Sequence, residues 1–273
     1  MTQLPPELPP RYRAWPDPER ALLGRGGAGE VWRAQDKVLG VLVALKVWRA
    51  EGAKIKARLE REAALAARVT HPNVVGLHDL GTTPDGRPFL AFALASDGSF
   101  LERVRTLPPW DELRDLFLGL LKALAALHSR GLLHLDVKLS NLLLHRSGPK
   151  RLELWLADLG VARAIGDDEG DSTLIGTVAY MPAERLSAKV YLWGPATDLF
   201  SAGAVFYRVL SGQLPFPERE PSEALAARSK PPTHIPILPG YAVPEGIDDA
   251  ILPMLQRNPW ERYDLCADAI RAI

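Results

Sequence analysis

Short apolar runs separated by glycine and polar turns fill the first third of the chain. Ala21-Leu22-Leu23, Val31-Trp32 and Val41-Leu42-Val43-Ala44-Leu45 have the length and punctuation of strands, so residues 20 to 47 predict a strand-rich segment. The period then changes. Residues 53–68 carry alternating charges and alanines at helical spacing. His71-Pro72-Asn73 closes that helix, because proline disfavours helix in the residue before it. Two more short strands fit 74–80 and 88–94. After Gly98 helical periods dominate, at 111–129, 197–211, 221–229 and 247–256, and prolines at 231, 232, 236, 239 and 244 mark a late loop region. The expected class is α+β, with a small strand-rich part, a larger helical part and a junction near 94–98. No internal repeat is visible.

The first 18 residues stand apart. Pro5, Pro6, Pro9, Pro10, Pro16 and Pro18 give them polyproline character, so 1–18 is expected to be a tail rather than a core element. Such a tail is either a ligand for proteins that read proline-rich segments or a passive extension.

With 273 residues the chain is long enough for one large domain or two lobes. Its formal net charge is zero, which argues against a broad basic surface for nucleic acid. The single cysteine, Cys266, precludes an intrachain disulfide and fits a reducing compartment; it is expected to be a small residue in the last helix. No apolar run reaches the roughly 18 residues of a membrane span, and no signal-peptide pattern opens the chain. Leu116 to Leu127, interrupted by Gly119 and Lys122, reads as a buried helix. The expected location is the cytoplasm, with no membrane or nucleic-acid partner.

Four clusters carry chemistry. Gly24-Arg25-Gly26-Gly27-Ala28-Gly29-Glu30-Val31 lies between two strand-like runs, where glycines let a hairpin lie close over phosphates. A Rossmann loop would open a helix instead, and the Gly-Lys-Ser/Thr ending of a P-loop is absent. Val43-Ala44-Leu45-Lys46 places a lysine on a strand, where a cation can hold triphosphate if an acid steadies it. Glu62 is the favoured acid, given its distance before His71-Pro72-Asn73, and Glu60 is the alternative.

The third cluster is His134-Leu135-Asp136-Val137-Lys138-Leu139-Ser140-Asn141. Asp136 can orient and deprotonate an attacking hydroxyl. Lys138 can neutralise charge on a transferring phosphoryl group, and Asn141 can offer an oxygen to Mg²⁺. Asp158-Leu159-Gly160 follows the apolar run Leu154-Trp155-Leu156-Ala157, 17 residues beyond Asn141, and suits a metal that bridges phosphates.

This order resembles the eukaryotic-type protein kinase family, in its bacterial serine/threonine form, over residues 20–265. The resemblance implies a two-lobed kinase fold over 19–273, with an N-lobe of about 19–95 and a C-lobe of about 96–273, and with ATP between the lobes. It implies Mg-ATP as the donor and protein serine or threonine as the acceptor. It also implies an adenine slot roofed by Leu23, Val31 and Ala44, floored by Leu143 and backed by Phe92, with backbone hydrogen bonds from Ala93 to Ala95. Gly24, Gly26 and Gly29 would cover the phosphates. Gly176-Thr177-Val178-Ala179-Tyr180-Met181-Pro182-Ala183-Glu184 resembles the end of an activation segment. Asp198 resembles the buried aspartate that braces the catalytic loop, and Arg262 the arginine that pairs with Glu184.

Some positions depart from the family. Leu135 replaces the arginine that usually meets an activation-loop phosphate, so activity independent of that phosphate is expected. Asp167, Asp168, Glu169 and Asp171 either supply negative charge there or keep the loop solvated, and Ser172 and Thr173 are candidate phosphosites. Ala93 replaces a common hinge glutamate, Leu159 a phenylalanine, and Pro182-Ala183 inverts the usual order. Three readings follow: an active protein kinase, a nucleotide-binding scaffold without catalysis, and a small-molecule phosphotransferase. Lys46, Glu62, Asp136, Asn141 and Asp158 together favour the first. Glu184, Asp198 and Arg262 weigh against the third.

Overall fold

The computed structural model describes residues 7–26, 29–49, 52–103, 106–148, 151–165 and 177–273. The chain forms two compact units. One contains the residues up to Thr70 together with Val75–Ala95; the other contains His71–Val74 and Ser96–Ile273.

Alternation builds the first unit. In β3 (Gly29–Asp36) and β4 (Leu42–Trp48) every second side chain is buried. These strands pair antiparallel with each other, and the sheet order is β1-β3-β4-β6-β5, with β2 also on β3. The remaining strands are β1 (Tyr12–Ala14), β2 (Leu22–Arg25), β5 (Leu77–Thr82) and β6 (Pro88–Ala93). Trp32, Ala34, Val43, Leu45 and Val47 pack on one face with Tyr12, Ala21, Phe89 and Ala91. On the other face Trp48 and Leu90 pack against Leu59 and Ala63 of helix α2 (Ala53–Ala67). Ala21, expected in a strand, ends a one-turn helix α1 (Pro18–Ala21).

The expected tail is corrected over its described part. Tyr12–Ala14 adds an edge strand to β3, in register Tyr12↔Asp36 to Ala14↔Ala34. Tyr12 is buried, and its hydroxyl donates to Asp79 Oδ2 at 2.7 Å. Arg11 bridges Asp36 and Asp79, at 2.6 and 2.9 Å. Polar composition hid this strand, because the acids that hold it lie 25 and 68 residues further along the chain. Pro5 and Pro6 lie outside the described residues.

The second unit is organised on two long helices. Helix α4 (Trp110–His128) repeats apolar residues at three- and four-residue spacing and buries Leu113, Leu116, Phe117, Leu120, Leu124 and Leu127. Helix α6 (Pro195–Ser211) is buried along almost its whole length. The two meet where Phe117 stacks on Phe206 at 4.0 Å. Gly203 lets α6 approach closely, since a Cβ there would lie 2.6 Å from Met254 Cβ.

Around this pair stand α3 (Phe100–Arg103), α5 (Ala183–Leu186), α7 (Pro221–Ala227), α8 (Ile247–Ile251) and α9 (Cys266–Ala272). The helix expected over 247–256 turns 3₁₀ at Leu252–Leu255, where Pro253 lacks the N–H that an α-helix needs. Two antiparallel pairs complete the unit: β7 (Leu132–Leu133) with β10 (Arg163–Ala164), and β8 (Leu142–Arg146) with β9 (Leu152–Leu156).

The junction after Ala95 falls where the sequence pattern changes. His71–Val74, expected in the first part, belongs instead to the second unit. Asn73 is the reason: its amide donates to Leu154 O, and its carbonyl accepts from Leu156 N–H, both at 2.8 Å.

Candidate phosphotransfer site

In the first unit, cross-strand register gathers one set of expected residues. Val31 is opposite Lys46, and Ala44 is opposite Phe92, so all four project from the α2 side of the sheet. Lys46 Nζ donates to Glu62 Oε1 at 2.6 Å, and Glu62 is almost fully buried. Two residues along a helix turn about 200°, so Glu60 faces away from Lys46 and lies 4.0 Å from Lys56 on the exposed side. Lys46 Nζ also sits 5.1 Å above the Trp48 ring. Trp48 is a site residue that the sequence reading missed, although strand period places it on the Lys46 face.

The glycines divide by environment. A Cβ on Gly29 would lie 2.2 Å from Val47 O, so the β3–β4 pairing itself demands that glycine. A Cβ on Gly24 or Gly26 would meet nothing within 4 Å, which leaves their backbone open to close approach by a ligand. Leu23 is exposed on β2, and Ala95 is buried. The Ala93 N–H is spent on Gly76 O. Gly27 and Ala28 lie outside the described residues.

In the second unit, Asp198 organises the loop after β7. It is fully buried at the start of α6 and accepts the amides of His134 and Leu135, each at 2.8 Å, and His128 Nε2 at 2.9 Å. Burial alone pushes its carboxyl up; the hydrogen bond and charge of His128, with the His134 amide, bring it below the usual range. Leu135 takes a left-handed conformation, φ 64°. His134 Nδ1 accepts from Asp136 N–H at 3.3 Å, which makes Nε2 the donor to Ala157 O at 3.1 Å.

Three polar side chains then converge. Asp136 Oδ2 accepts from Lys138 Nζ at 2.7 Å and from Asn141 Nδ2 at 3.1 Å; the same Nδ2 donates to Asp136 O at 2.9 Å. Both amide hydrogens of Asn141 are thereby directed to Asp136, which leaves its amide oxygen as the atom able to ligate a cation. Ala157 N–H donates to Asn141 O, which extends the β8–β9 pairing by one residue and puts Asp158 next in the chain after the residue opposite Asn141. Asp158 is exposed with φ 67°, a second left-handed residue in the same region. Among the described residues no group of three or more His, Cys, Asp or Glu could hold a metal. One carboxylate and one amide oxygen fit a cation that completes its shell with phosphate oxygens and water, as Mg²⁺ does. Leu143 lies half-buried on β8, opposite Trp155.

Further along, Arg262 grips Glu184 with two hydrogen bonds, 2.7 and 3.0 Å, and Thr197 Oγ1 donates to Glu184 Oε1 at 3.1 Å. Inversion of Pro182-Ala183 leaves Glu184 buried in α5. Thr177 is exposed. Gly176 and the acids and hydroxyls from Asp167 to Thr173 lie outside the described residues. Cys266 is buried in α9, as expected, and burial pushes its thiol up to about 12.

Arg228 is another residue that the sequence reading missed. It is fully buried and donates to the carbonyls of Val178, Ala179, Met181 and Ala224 at 2.9–3.3 Å, with its guanidinium 4.5 Å above Phe216. Burial lowers its pKa to about 10. No local pattern distinguishes it from a surface arginine.

A family model described as the protein kinase domain matches residues 19–270. A probable serine/threonine-protein kinase of Streptomyces coelicolor, SCO3848, is 31% identical over 280 residues, covering 98% of this chain and 40% of that protein. The serine/threonine-protein kinases PknJ and PknF of Mycobacterium tuberculosis are 31% and 33% identical, over 89% and 92% of this chain and 42% and 54% of their own lengths. This chain thus spans about half the length, or less, of these curated relatives. No helix among the described residues is long and apolar enough to cross a membrane.

Proposed function

The chain belongs to the protein kinase family, and from that premise we propose that it transfers the γ-phosphate of Mg-ATP to serine or threonine hydroxyls of protein substrates. The observation that carries this reading is the convergence of Lys138 and Asn141 on Asp136, within a loop whose backbone Asp198 holds from the core. Preorganised charges of this kind supply most of the catalysis when the phosphoryl transition state is loose.

Lys46, steadied by Glu62 and Trp48, binds the α- and β-phosphates. Gly24 and Gly26 allow backbone approach to the phosphates, while Leu23, Val31, Ala44, Phe92 and Leu143 supply apolar contact for adenine, and backbone groups of Ala93–Ala95 other than the engaged Ala93 N–H supply its hydrogen bonds. Asn141 and Asp158 hold Mg²⁺, which when bound neutralises phosphate charge. Asp136 orients the acceptor hydroxyl and receives its proton as the hydroxyl oxygen bonds to the γ-phosphorus and the bond to the ADP oxygen breaks. Lys138 bears on the transferring group. An open cavity of about 340 Å³, lined by Thr177–Tyr180, Arg208, Leu214, Pro217 and Arg219, is proposed to help seat the acceptor.

With leucine at 135, activity is proposed not to require a phosphate on Ser172 or Thr173. Replacing both with alanine should leave turnover intact in folded protein; loss of turnover refutes this part. The main test is incubation with γ-labelled ATP, Mg²⁺ and generic serine- and threonine-containing acceptors. Label should appear on serine or threonine and vanish in Asp136→Asn and Asp158→Ala. The expected loss for Asp136→Asn is at least about a hundredfold in kcat. Nucleotide binding without label would favour the scaffold reading.

A further inference from the structure

Arg185 follows Glu184 in α5 and is buried, at 4% exposure. A buried guanidinium needs compensation, and three kinds are present. Its Cζ lies 4.6 Å from the centre of the Trp193 ring, and Trp193 Nε1 donates to Glu184 O at 3.2 Å, which fixes the ring beneath it. Its Nη2 reaches the Leu135 carbonyl at 3.5 Å, the far edge of hydrogen-bonding range, so that contact is chiefly ion–dipole. Burial lowers its pKa, with Arg163 acting in the same sense, and the carboxylates of Asp198, Asp136 and Glu184 offset only part of that.

The Leu135 peptide is therefore addressed at both polar atoms. Asp198 takes its N–H, and the Arg185 cation faces its carbonyl. Between these contacts Leu135 holds φ 64°, a conformation a leucine rarely adopts without being constrained. The next residue is Asp136.

On the premise of the kinase activity above, we propose that Arg185, seated on Trp193, is a positioning residue that holds Leu135 left-handed and so aims Asp136. It supplies from α5 a cation beside the catalytic loop, where the side chain at 135 supplies none. Its observed contacts are with the Trp193 ring and the Leu135 carbonyl, so its assigned role is exerted through the Leu135 main chain.

The test compares wild type with Arg185→Met, Arg185→Lys and Trp193→Leu. Readouts are kcat, KM for ATP, melting temperature and hydrogen exchange of peptides spanning 133–139. Arg185→Met should lower kcat ten- to a hundredfold, about the effect of a small misplacement of a reacting group, with KM for ATP changed less than about threefold. Exchange at 133–139 should quicken while distant helices stay protected. Arg185→Lys keeps the charge without the planar fork and should lose less, and Trp193→Leu should lose in the same sense. Should Arg185→Met fail to fold, the other two carry both readouts. Unchanged kcat, or unchanged exchange at 133–139, in folded variants overturns the proposal. If wild type itself transfers no phosphate, the proposed function fails, and exchange at 133–139 alone decides the role of Arg185.

Discussion

Arg262 holds Glu184 through two parallel hydrogen bonds with both side chains removed from water. The remaining Arg262 donors reach the carbonyls of Ala196, Gln256 and Arg257, so one cation ties α5 to the start of α6 and to the loop before α9. Arg262→Met would leave Glu184 buried without its cation. The expected cost is about 3–5 kcal/mol in urea unfolding. The double variant with Glu184→Met should cost less than the single one, because no charge is then stranded. A double variant as unstable as the single one would put the loss on packing alone.

Glycines in the β2–β3 hairpin should separate into two kinds. Gly29→Ala drives a methyl into the Val47 carbonyl and should destabilise the first unit, seen as a lower melting temperature. Gly24→Ala and Gly26→Ala meet open space and should leave melting nearly unchanged. If phosphates approach this backbone, the same two variants should raise KM for ATP.

Trp48 joins the Lys46 cation to the face of α2 that carries Glu62. A cation–π contact at a partly desolvated site is worth about 0.5–2 kcal/mol. Trp48→Leu should therefore raise KM for ATP by about two- to thirtyfold, with Trp48→Phe less affected. Equal values for the two variants would deny the ring any part in holding the lysine.

Acid should loosen the N-terminal strand. The Arg11 hydrogen bond, aided by the Val38 and Leu39 amides, draws the Asp36 carboxyl from 3.8 down to about 2. A depressed carboxylate contributes stability above its unfolded pKa and loses it as pH falls through the folded value. Melting temperature should fall between about pH 4 and pH 2 more steeply in wild type than in Asp36→Asn. At neutral pH the variant should be the less stable of the two.

Much of this arrangement is legible in the sequence because it obeys short periods. Strand alternation sets Val31, Ala44 and Lys46 on one face, and helical rotation separates Glu62 from Glu60. The burial of α4 follows from its apolar stripe. Other features depend on partners remote along the chain. Arg11 and Tyr12 look solvated until Asp36 and Asp79 are brought to them. Asn73 looks like a helix stop, yet its side chain and backbone both bind β9. Arg228 gathers four carbonyls that no local pattern announces, and Arg185 is adjacent to an expected residue yet gains meaning only through Leu135 and Trp193. Apolar burial shows in periodicity, whereas the partner of a buried polar group is set by tertiary folding.

Asp198 recognises main chain rather than side chain: its two oxygens take the amides of residues 134 and 135, atoms that nearly every amino acid possesses. The anchor itself contacts no side-chain atom of residue 135, so it survives any side chain there that tolerates the left-handed φ of 64°. Sequence drift at that position can rewire how the loop is controlled without cutting the mooring that keeps the neighbouring carboxylate in place.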